Sequence, residues 1–333
     1  MKKETLSVSE IYAKGKRNLE KRGTNRKFPP DSPTGMSVLA NREILNSLFF
    51  VPRYFNPPEV GTDTVLFGRK CKTPVFCSPI SRTDFMSAGD MAKIAKGLKK
   101  AGALMMLGIG SSSELQQVVD TGVPTVKIIK PYRRTEMIYK KIRDAEARGC
   151  VAAGMDIDHF YGRLLGDKVD RADLFGPQAT NELKSLISQT KLPFIIKGVL
   201  SSVDAQIALD LGAAAIIVSN HGTYAIDATI PSLAALPEIR DQVGKKIPVF
   251  VDTSFKTGND VLKGMALGAK AVGLASSVLI AFAADGAKGV EALINQITAE
   301  IKRTMAALGC ADLGSISKSI IRQFPFRLDL TKV

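Results

Sequence analysis

Two polar groups stand where apolar, strand-like runs end near the middle of the chain. Lys197 follows the run 194–196, and Ser219-Asn220-His221-Gly222 follows the run 214–218. Between these runs, residues 203–211 carry apolar side chains at helical spacing, so the stretch is typical of a strand, a helix and a second strand. Sites in parallel α/β proteins are built at the carboxyl ends of strands. Lys197 and His221 are therefore candidate site residues.

A histidine in this position can act as a general base. His221 is one of two histidines in the chain. Asp156, which ends another predicted strand, could hold one ring nitrogen and leave the other to accept a proton. Two alternatives stay open, a structural role for His221 and a solvated position for Lys197, although the apolar residues before Lys197 favour burial. We expect His159 to be a surface or lid residue, and we expect no metal site because few ligands are available.

The elements that would position these residues alternate regularly along the chain. Eight β-type runs are predicted at 75–78, 104–107, 125–130, 151–156, 194–197, 214–219, 249–252 and 271–274. Helical segments separate them at 90–100, 113–120, 136–148, 180–189, 203–211, 232–242 and 260–267. This α/β pattern predicts a closed (β/α)8 TIM barrel. An open doubly wound sheet would show a glycine-rich turn after its first strand, and the turn here is Pro79-Ile80-Ser81-Arg82.

In such a barrel the polar residues at the strand ends would all face one mouth. They are Ser78, Gly108, Lys127, Asp156, Lys197, Ser219-Asn220-His221, Asp252 and Ala275-Ser276.

The chain is expected to form a single domain with an added N-terminal segment. Residues 1–63 are predicted to be a helical cap, with a helix at 8–22 that starts near Ser9 and a second helical stretch at 41–49. Residues 64–333 would form the barrel, closed by a long helix at 290–308.

Composition narrows the choice of partners. The formal net charge is +14, with 45% hydrophobic and 23% charged residues, which is typical of a globular protein. Aromatic residues make up 6%, tryptophan is absent, and basic residues do not alternate with aromatic ones, so we expect no nucleic-acid partner. The four cysteines lack metal-ligand spacing, and Cys71 and Cys77, which flank a predicted strand, are predicted to be buried thiols. We expect no membrane span and a cytoplasmic location.

Three motifs resemble one known family. They are SNHG after a strand, IPVFVDTSFKTGNDVLKGMALGAKAVGL, and TMAALGC near the end of the chain. The sequence resembles the FMN-dependent α-hydroxy-acid oxidase/dehydrogenase family from about residue 8 to residue 317, most strongly over 191–310. That resemblance implies a (β/α)8 barrel with FMN at its mouth, and often a homotetramer.

The resemblance implies roles for several residues. His221 would be the base that removes a proton as the flavin N5 receives the hydride equivalent, and Asp156 would orient it. Lys197 would stabilise the reduced flavin at its N1/O2 edge, and Ser219 would be a further flavin contact.

The resemblance also implies where the ribityl chain and phosphate of FMN would lie. Asp252, Thr253, Ser254 and Lys256 match that loop, with Lys256 in place of an arginine. Further candidate contacts at the strand ends are Ser78, Lys127, Ala275 and Ser276. The family has a glycine-arginine pair where this chain has Ala275-Ser276, and paired glycines where it has Thr253-Ser254.

The substrate-binding residues depart from the family pattern. The family's SNHGGRQLD is SNHGTYAID here, so Tyr224 replaces the arginine that clamps the substrate carboxylate. Losing one hydrogen bond to a charged group costs about 1.5–3 kcal/mol. Arg163 matches an arginine near the substrate entrance.

We therefore hypothesise an FMN-dependent oxidoreductase acting on a small molecule with a CH–OH or related acidic carbon, and not a simple 2-hydroxy acid. Two alternatives stay open at this point. One is an isomerase that uses reduced FMN, and the other is a non-catalytic, flavin-poor barrel that binds a phosphorylated or anionic metabolite.

Overall fold

A closed barrel of eight parallel strands forms the centre of the molecule. The structure, a computed structural model, describes residues 6–24, 34–165, 168–170, 173–222 and 226–324. The barrel strands are Val75–Ile80, Leu104–Leu107, Thr125–Ile129, Ala152–Asp156, Phe194–Val199, Ala215–Val218, Val249–Val251 and Ala271–Leu274. Each strand pairs with the next, and the eighth pairs with the first. The predicted (β/α)8 fold and all eight predicted strands are confirmed.

A helix follows every strand of the barrel. The helices are Asp90–Ala101, Ser112–Val119, Thr135–Ala147, Thr180–Gln189, Ser202–Asp210, Ser232–Val243, Gly258–Ala266 and Ser276–Ala307. The last helix begins at Ser276, whereas the sequence predicted a start at residue 290. Residues 277–284 are all buried. This part of the helix therefore has no exposed polar face and lacks the periodicity that marks an amphipathic helix. The helix is interrupted by non-helical backbone at Asp285 and Gly286.

Alternate strand residues fill the inside of the barrel, as the period of two along a β-strand requires. Phe76, Val126 and Phe250 belong to this interior cluster. A hairpin formed by Thr64–Leu66 and Arg69–Cys71 precedes the first strand and adds Leu66 to the same cluster. The interior is therefore packed next to the amino ends of the strands, and a cavity is left at their carboxyl ends.

The N-terminal segment contains two helices, Val8–Lys21 and Met36–Asn46. The first begins at Val8, as predicted, but its cap is Ser7, which forms a capping box with Glu10, and not Ser9. The second ends before residue 47, and Leu48–Phe50 is a strand paired with Ile321–Gln323. The prediction of a helix over 41–49 was wrong at its C-terminal end. Residues 48–50 are extended because they pair with a strand that is distant in sequence. The division at residue 63 stays a prediction.

The four cysteines are buried free thiols, which confirms the prediction made for Cys71 and Cys77. Burial raises the pKa of Cys71 and Cys150 to about 11, which keeps both thiols protonated and unreactive at neutral pH. Among the described helices, none is both long enough and apolar enough to cross a membrane.

Gly273 lies in the barrel where neighbouring side chains leave no space for a Cβ atom. A Cβ atom at this position would lie 2.1 Å from Ser78 Oγ and 2.7 Å from Phe76 Cε2. We therefore expect Gly273→Ala to lower the free energy of unfolding by about 1–3 kcal/mol through overpacking. Chemical denaturation measures the change. Gly61→Ala is the matched control, because nothing lies within 4 Å of its added Cβ, and equal stability of the two variants would contradict the packing described.

Candidate active site

A cavity of about 1020 Å³ opens at the carboxyl ends of the barrel strands. Every strand end contributes a lining residue, in chain order Ser78, Gly108, Lys130, Asp156, Lys197, His221, Asp252 and Gly273. A cavity of this size is at the upper end of the range for small-molecule and cofactor sites. The expectation that the polar strand ends share one mouth therefore holds for most of them.

Lys197 lies at the bottom of this cavity and is almost completely buried. Its Nζ is 3.2 Å from Asp156 Oδ1, 3.1 Å from Ser219 Oγ and 3.2 Å from His221 Nδ1. Burial alone would lower the pKa of the ammonium group, but the carboxylates of Asp156 and Asp252 outweigh it and raise that pKa. Lys197 is therefore a permanent positive charge beside the imidazole of His221.

His221 has a backbone conformation that few non-glycine residues adopt. Its φ is +56°, in the left-handed region, and it directly follows the buried strand Ala215–Val218. Such conformations cluster at functional sites because the surrounding structure must impose them. Burial, followed by the positive charges of Lys197 and Lys130, holds the pKa of His221 well below its usual value. The imidazole is therefore neutral at pH 7.

The carboxylate nearest to His221 is Asp158, which sequence reasoning missed. His221 Nδ1 lies 3.0 Å from Asp158 Oδ2 and 3.8 Å from Asp156 Oδ1. Gly198 makes this approach possible, because a Cβ atom there would lie 2.7 Å from Asp158 Cγ. Its φ of +98° also suits glycine. The orienting contact expected from Asp156 is thus made by Asp158 in this structure.

Asp156 is instead held between two ammonium groups. Lys130 Nζ lies 2.7 Å from its Oδ2, on the side opposite to the contact from Lys197. Burial works to raise the pKa of Asp156, but Lys130 and Lys197 hold it well below the usual range. Asp156 is therefore a buried anion whose charge is balanced by its neighbours, as buried charges require.

His159 completes the network, and its predicted position on the surface or in a lid is wrong. Its side chain is 4% exposed, and its Nδ1 lies 2.7 Å from Lys130 Nζ. Its ring meets that of His221 edge to face, with centroids 4.1 Å apart. The 3₁₀-helix Ile157–His159, directly after the fourth strand, turns the ring inward. The signal in the sequence was that the chain has two histidines and that this one lies three residues after Asp156.

Three of these side chains could also be considered as metal ligands. Ligand atoms of Asp156, His159 and His221 lie within 4.8 Å of one another, and two histidines with one carboxylate are a known metal-binding set. However, the ammonium groups of Lys130 and Lys197 already lie at 2.7 and 3.2 Å from the Nδ1 atoms of the two histidines. Two positive charges at these atoms oppose a third, so the cluster is better suited to holding protons than to holding a metal.

Lys127 does not reach the cavity, so the expectation that it contacts a cofactor there is wrong. Val126 and Ile128 point into the barrel, and the alternation along a strand turns Lys127 towards the helices. There it donates a hydrogen bond to the carbonyl of Gly108 and lines a separate cavity of about 480 Å³. Burial lowers its pKa to about 8. Lys130, on the inward-facing side, takes the place that was assigned to Lys127.

The remaining predicted cofactor contacts fall into two groups. Those that line the cavity are Ser78, Asp252, Thr253, Ser254, Lys256, Ala275 and Ser276. Ser219 is fully buried beneath the lining, where its hydroxyl accepts hydrogen bonds from Lys197 Nζ and from the backbone N–H of His221. Ser219 therefore supports the two site residues from behind.

The loop after the seventh strand keeps a glycine-like backbone without glycine. Thr253 and Ser254 have φ values of +84° and +66°, a region that costs non-glycine residues about 1–3 kcal/mol. Asp252, just before them, accepts a hydrogen bond of 2.9 Å from Ser78 Oγ. The loop leads to Lys256, whose backbone carbonyl accepts a hydrogen bond from the Tyr12 hydroxyl at 2.7 Å.

The two substrate contacts, Arg163 and Tyr224, stay predictions from the sequence. Arg163 begins the strand Arg163–Leu165, which pairs with Lys168–Asp170. Tyr224 lies outside the described residues.

Comparison with known proteins adds independent findings. A family model described as FMN-dependent dehydrogenase matches residues 30–164 and 163–323. The chain is 30% identical over 319 residues to 4-hydroxymandelate oxidase of Amycolatopsis orientalis, covering 85% of this chain and 89% of that protein. It is 28% identical to glycolate oxidase 3 of Arabidopsis thaliana, covering 85% and 86%. It is 28% identical to L-lactate oxidase of Lactobacillus jensenii, covering 87% and 78%.

Solved structures of mandelate oxidase share the fold. One, with benzoyl-formic acid, superposes with a TM-score of 0.85 at 27% identity and covers 95% of this chain and 97% of that chain. Another, with 3,3-difluoro-2-hydroxy-3-phenylpropionic acid, has a TM-score of 0.85 at 28% identity and covers 95% and 99%.

The charge network can be tested by titrating the two histidines. We expect Lys130→Met to raise the pKa of His221 and of His159, because the Lys130 ammonium group adds to burial in lowering both. Proton NMR measures the titrations, and two histidines give few resonances to assign. Lys93→Met is the matched control, since Lys93 forms a surface ion pair with Asp90 and its loss should move neither pKa. Unchanged titration of both rings in Lys130→Met would contradict the network.

Proposed function

The chain belongs to the FMN-dependent dehydrogenase family, and from this we propose that it oxidises a CH–OH or related carbon acid with His221 as the base. Its relatives are FMN-dependent α-hydroxy-acid oxidases, so it is an oxidoreductase whose cofactor is FMN. The observation that carries the proposal is the position of the His221 imidazole, which lines the cavity with Nδ1 at 3.0 Å from Asp158 Oδ2 and 3.2 Å from Lys197 Nζ.

The residues of the cavity fit FMN in size and in chemistry. Its volume of about 1020 Å³ is ample for a flavin nucleotide together with a small substrate. Apolar walls such as Ile109 and Leu279 suit a flat aromatic ring. At one end, the helix Ser276–Ala307 begins beside the cavity, and the N-terminus of a helix attracts a phosphate group. Barrels commonly bind phosphate after their seventh and eighth strands, which is where this helix start and the loop with Lys256 lie.

His221 would take the proton that the substrate loses. With a proton on Nδ1, donated to Asp158, the lone pair on Nε2 is the one that accepts. A base that stays unprotonated at pH 7 needs a lowered pKa, and burial together with Lys197 supplies it. Once His221 has taken up a proton, the carboxylates of Asp158 and Asp156 stabilise the imidazolium.

Lys197 would stabilise negative charge that develops in the cavity. Its ammonium group is held by Asp156 and Ser219 before any substrate binds, and such preorganised charge acts without reorganisation during the reaction. Bound FMN would supply the acceptor for a hydride equivalent, two electrons with one proton, as the substrate's CH–OH becomes C=O and His221 takes the other proton. Lys197 would lie against the bound flavin and stabilise the negative charge that the ring gains on reduction.

We propose that the substrate carries a CH–OH group but is not a simple 2-hydroxy acid held by the family's arginine. The relatives are named as oxidases of glycolate, lactate and hydroxymandelate, whereas Tyr224 stands where their motif has the clamping arginine. The cations described near His221 in this cavity, Lys130 and Lys197, are both already paired with Asp156. A small carboxylate would therefore find a weaker anchor here. A homo-oligomer and a cytoplasmic location remain predictions from the sequence.

Removing the imidazole tests the assignment of the base. We expect His221→Gln to bind FMN but to slow anaerobic bleaching of flavin absorbance by about 10²–10⁴-fold, the usual loss for a general base. The substrates are lactate, mandelate and mandelamide, assayed with FMN-loaded protein. Gln117→Ala, another change in the cavity lining, is the control and should bleach at the rate of the unaltered protein. A variant without His221 that bleaches equally fast would show that the base is elsewhere.

Restoring the arginine tests the substrate class. We expect Tyr224→Arg to improve kcat/KM for lactate or glycolate by about 10-fold or more, because a charged hydrogen bond to the carboxylate is regained. The neutral mandelamide should gain nothing, and Tyr224→Gln should improve neither. Steady-state oxidation assays measure all three. No gain for the carboxylates would mean that another feature of the pocket excludes them.

A further inference from the structure

Positive charges crowd the end of the cavity where the helix Ser276–Ala307 begins. Lys16, Arg42 and Lys256 all line it. Burial lowers the pKa of Lys256, and the positive charges of Arg42 and Lys16 lower it further. Arg42 is neutralised by Asp260, to which it donates hydrogen bonds of 2.7 and 2.9 Å. Lys16 and Lys256 are left as two cations that repel each other across a cavity, an arrangement that an anion between them would relieve.

Lys16 comes from outside the barrel, and close helix packing brings it there. It lies in the N-terminal helix Val8–Lys21, next to Gly15. A Cβ atom on Gly15 would lie 2.1 Å from the carbonyl oxygen of Ile280, so the two helices touch at a point where only glycine fits. Asn18 Nδ2 donates to the carbonyl of Ala283 at 2.9 Å. These contacts fix the helix over the first part of Ser276–Ala307, and Lys16 then faces the cavity.

A third contact ties this helix to the loop after the seventh strand. The Tyr12 hydroxyl donates to the backbone carbonyl of Lys256 at 2.7 Å. The N-terminal helix therefore contacts both elements that bound this end of the cavity, the loop and the start of the last helix. Tyr12 and Lys16, one turn apart on the N-terminal helix, both line the cavity.

We propose that Lys16, together with Lys256, binds the phosphate group of FMN. The inference rests on the proposed placement of the cofactor, with its phosphate at this end. Ala275-Ser276 supplies no side-chain charge where the family motif has an arginine, and Lys16 replaces that charge from a different element of the chain. A phosphate carries about −1.5 to −2 charges at neutral pH, which two lysines and a helix N-terminus match. The N-terminal helix is then part of the cofactor site.

Comparing FMN with riboflavin isolates the phosphate. Flavin-free protein is titrated with each flavin, and quenching of flavin fluorescence gives the two dissociation constants. We expect Lys16→Met to weaken FMN binding about 10-fold and to leave riboflavin binding unchanged, since riboflavin has the ring but no phosphate. Added salt should weaken FMN binding less in Lys16→Met than in the unaltered protein. Lys16→Arg should restore the preference for FMN.

Arg17→Met is the matched control, because Arg17 is the next residue, is also exposed and has the same charge. It should leave the ratio of the two dissociation constants unchanged. An unchanged ratio in Lys16→Met, or equal weakening of FMN and riboflavin, would overturn the proposal. So would unaltered protein that binds riboflavin as tightly as FMN. Protein that prefers FMN in this way but oxidises none of the tested alcohols would contradict the proposed reaction and leave the phosphate site supported.

Discussion

The arrangement of the site depends on one buried anion, Asp156, held between two ammonium groups. A single buried charge would be costly, and it is tolerated here because Lys130 and Lys197 bind its two oxygens. The same two lysines surround the imidazoles of His221 and His159 and lower the pKa of both. One set of contacts therefore neutralises the carboxylate, raises the pKa of Lys197 and keeps the histidines neutral. Loss of any one charge would shift the protonation of the others.

The barrel makes this network possible by bringing distant parts of the chain to one place. The third to sixth strands supply four of these residues: Lys130 and His221 come after their strands, Asp156 ends its strand, and Lys197 lies within its strand. Parallel pairing puts the ends of these strands side by side. The packed interior supports them from below. Positive φ values at His221 and Gly198 then aim the imidazole and admit Asp158. The rigid strands position the charged groups, and the residues with positive φ set the direction of the imidazole and its distance from Asp158.

The two ends of the cavity differ in how closely their residues match the family motifs. Near His221 the charged groups needed for proton removal are present, together with a second histidine and Lys130. At the other end, Thr253-Ser254 and Ala275-Ser276 depart from the family motifs in their side chains. The loop nevertheless has left-handed φ values of the kind that glycine adopts, and a helix begins at Ser276. Since a helix N-terminus and backbone N–H groups bind phosphate without side-chain help, these changes are compatible with FMN, which membership of the family implies.

The sequence alone determined the order of strands and helices, the closed barrel and the candidates Lys197 and His221. These features could be predicted because the periodicity and the ends of strands depend on residues that are neighbours in sequence. It could not determine which alternate residues of the third strand face the interior of the barrel. Lys127 was therefore predicted to contact the cofactor, whereas Lys130 is the residue that faces the cavity. It also could not show that His159 and Asp158 turn towards His221, or that Leu48–Phe50 pairs with Ile321–Gln323. Those contacts join residues that are distant in sequence or depend on a single backbone turn. Only the tertiary structure determines these contacts, because packing and charge balance depend on residues from all parts of the fold.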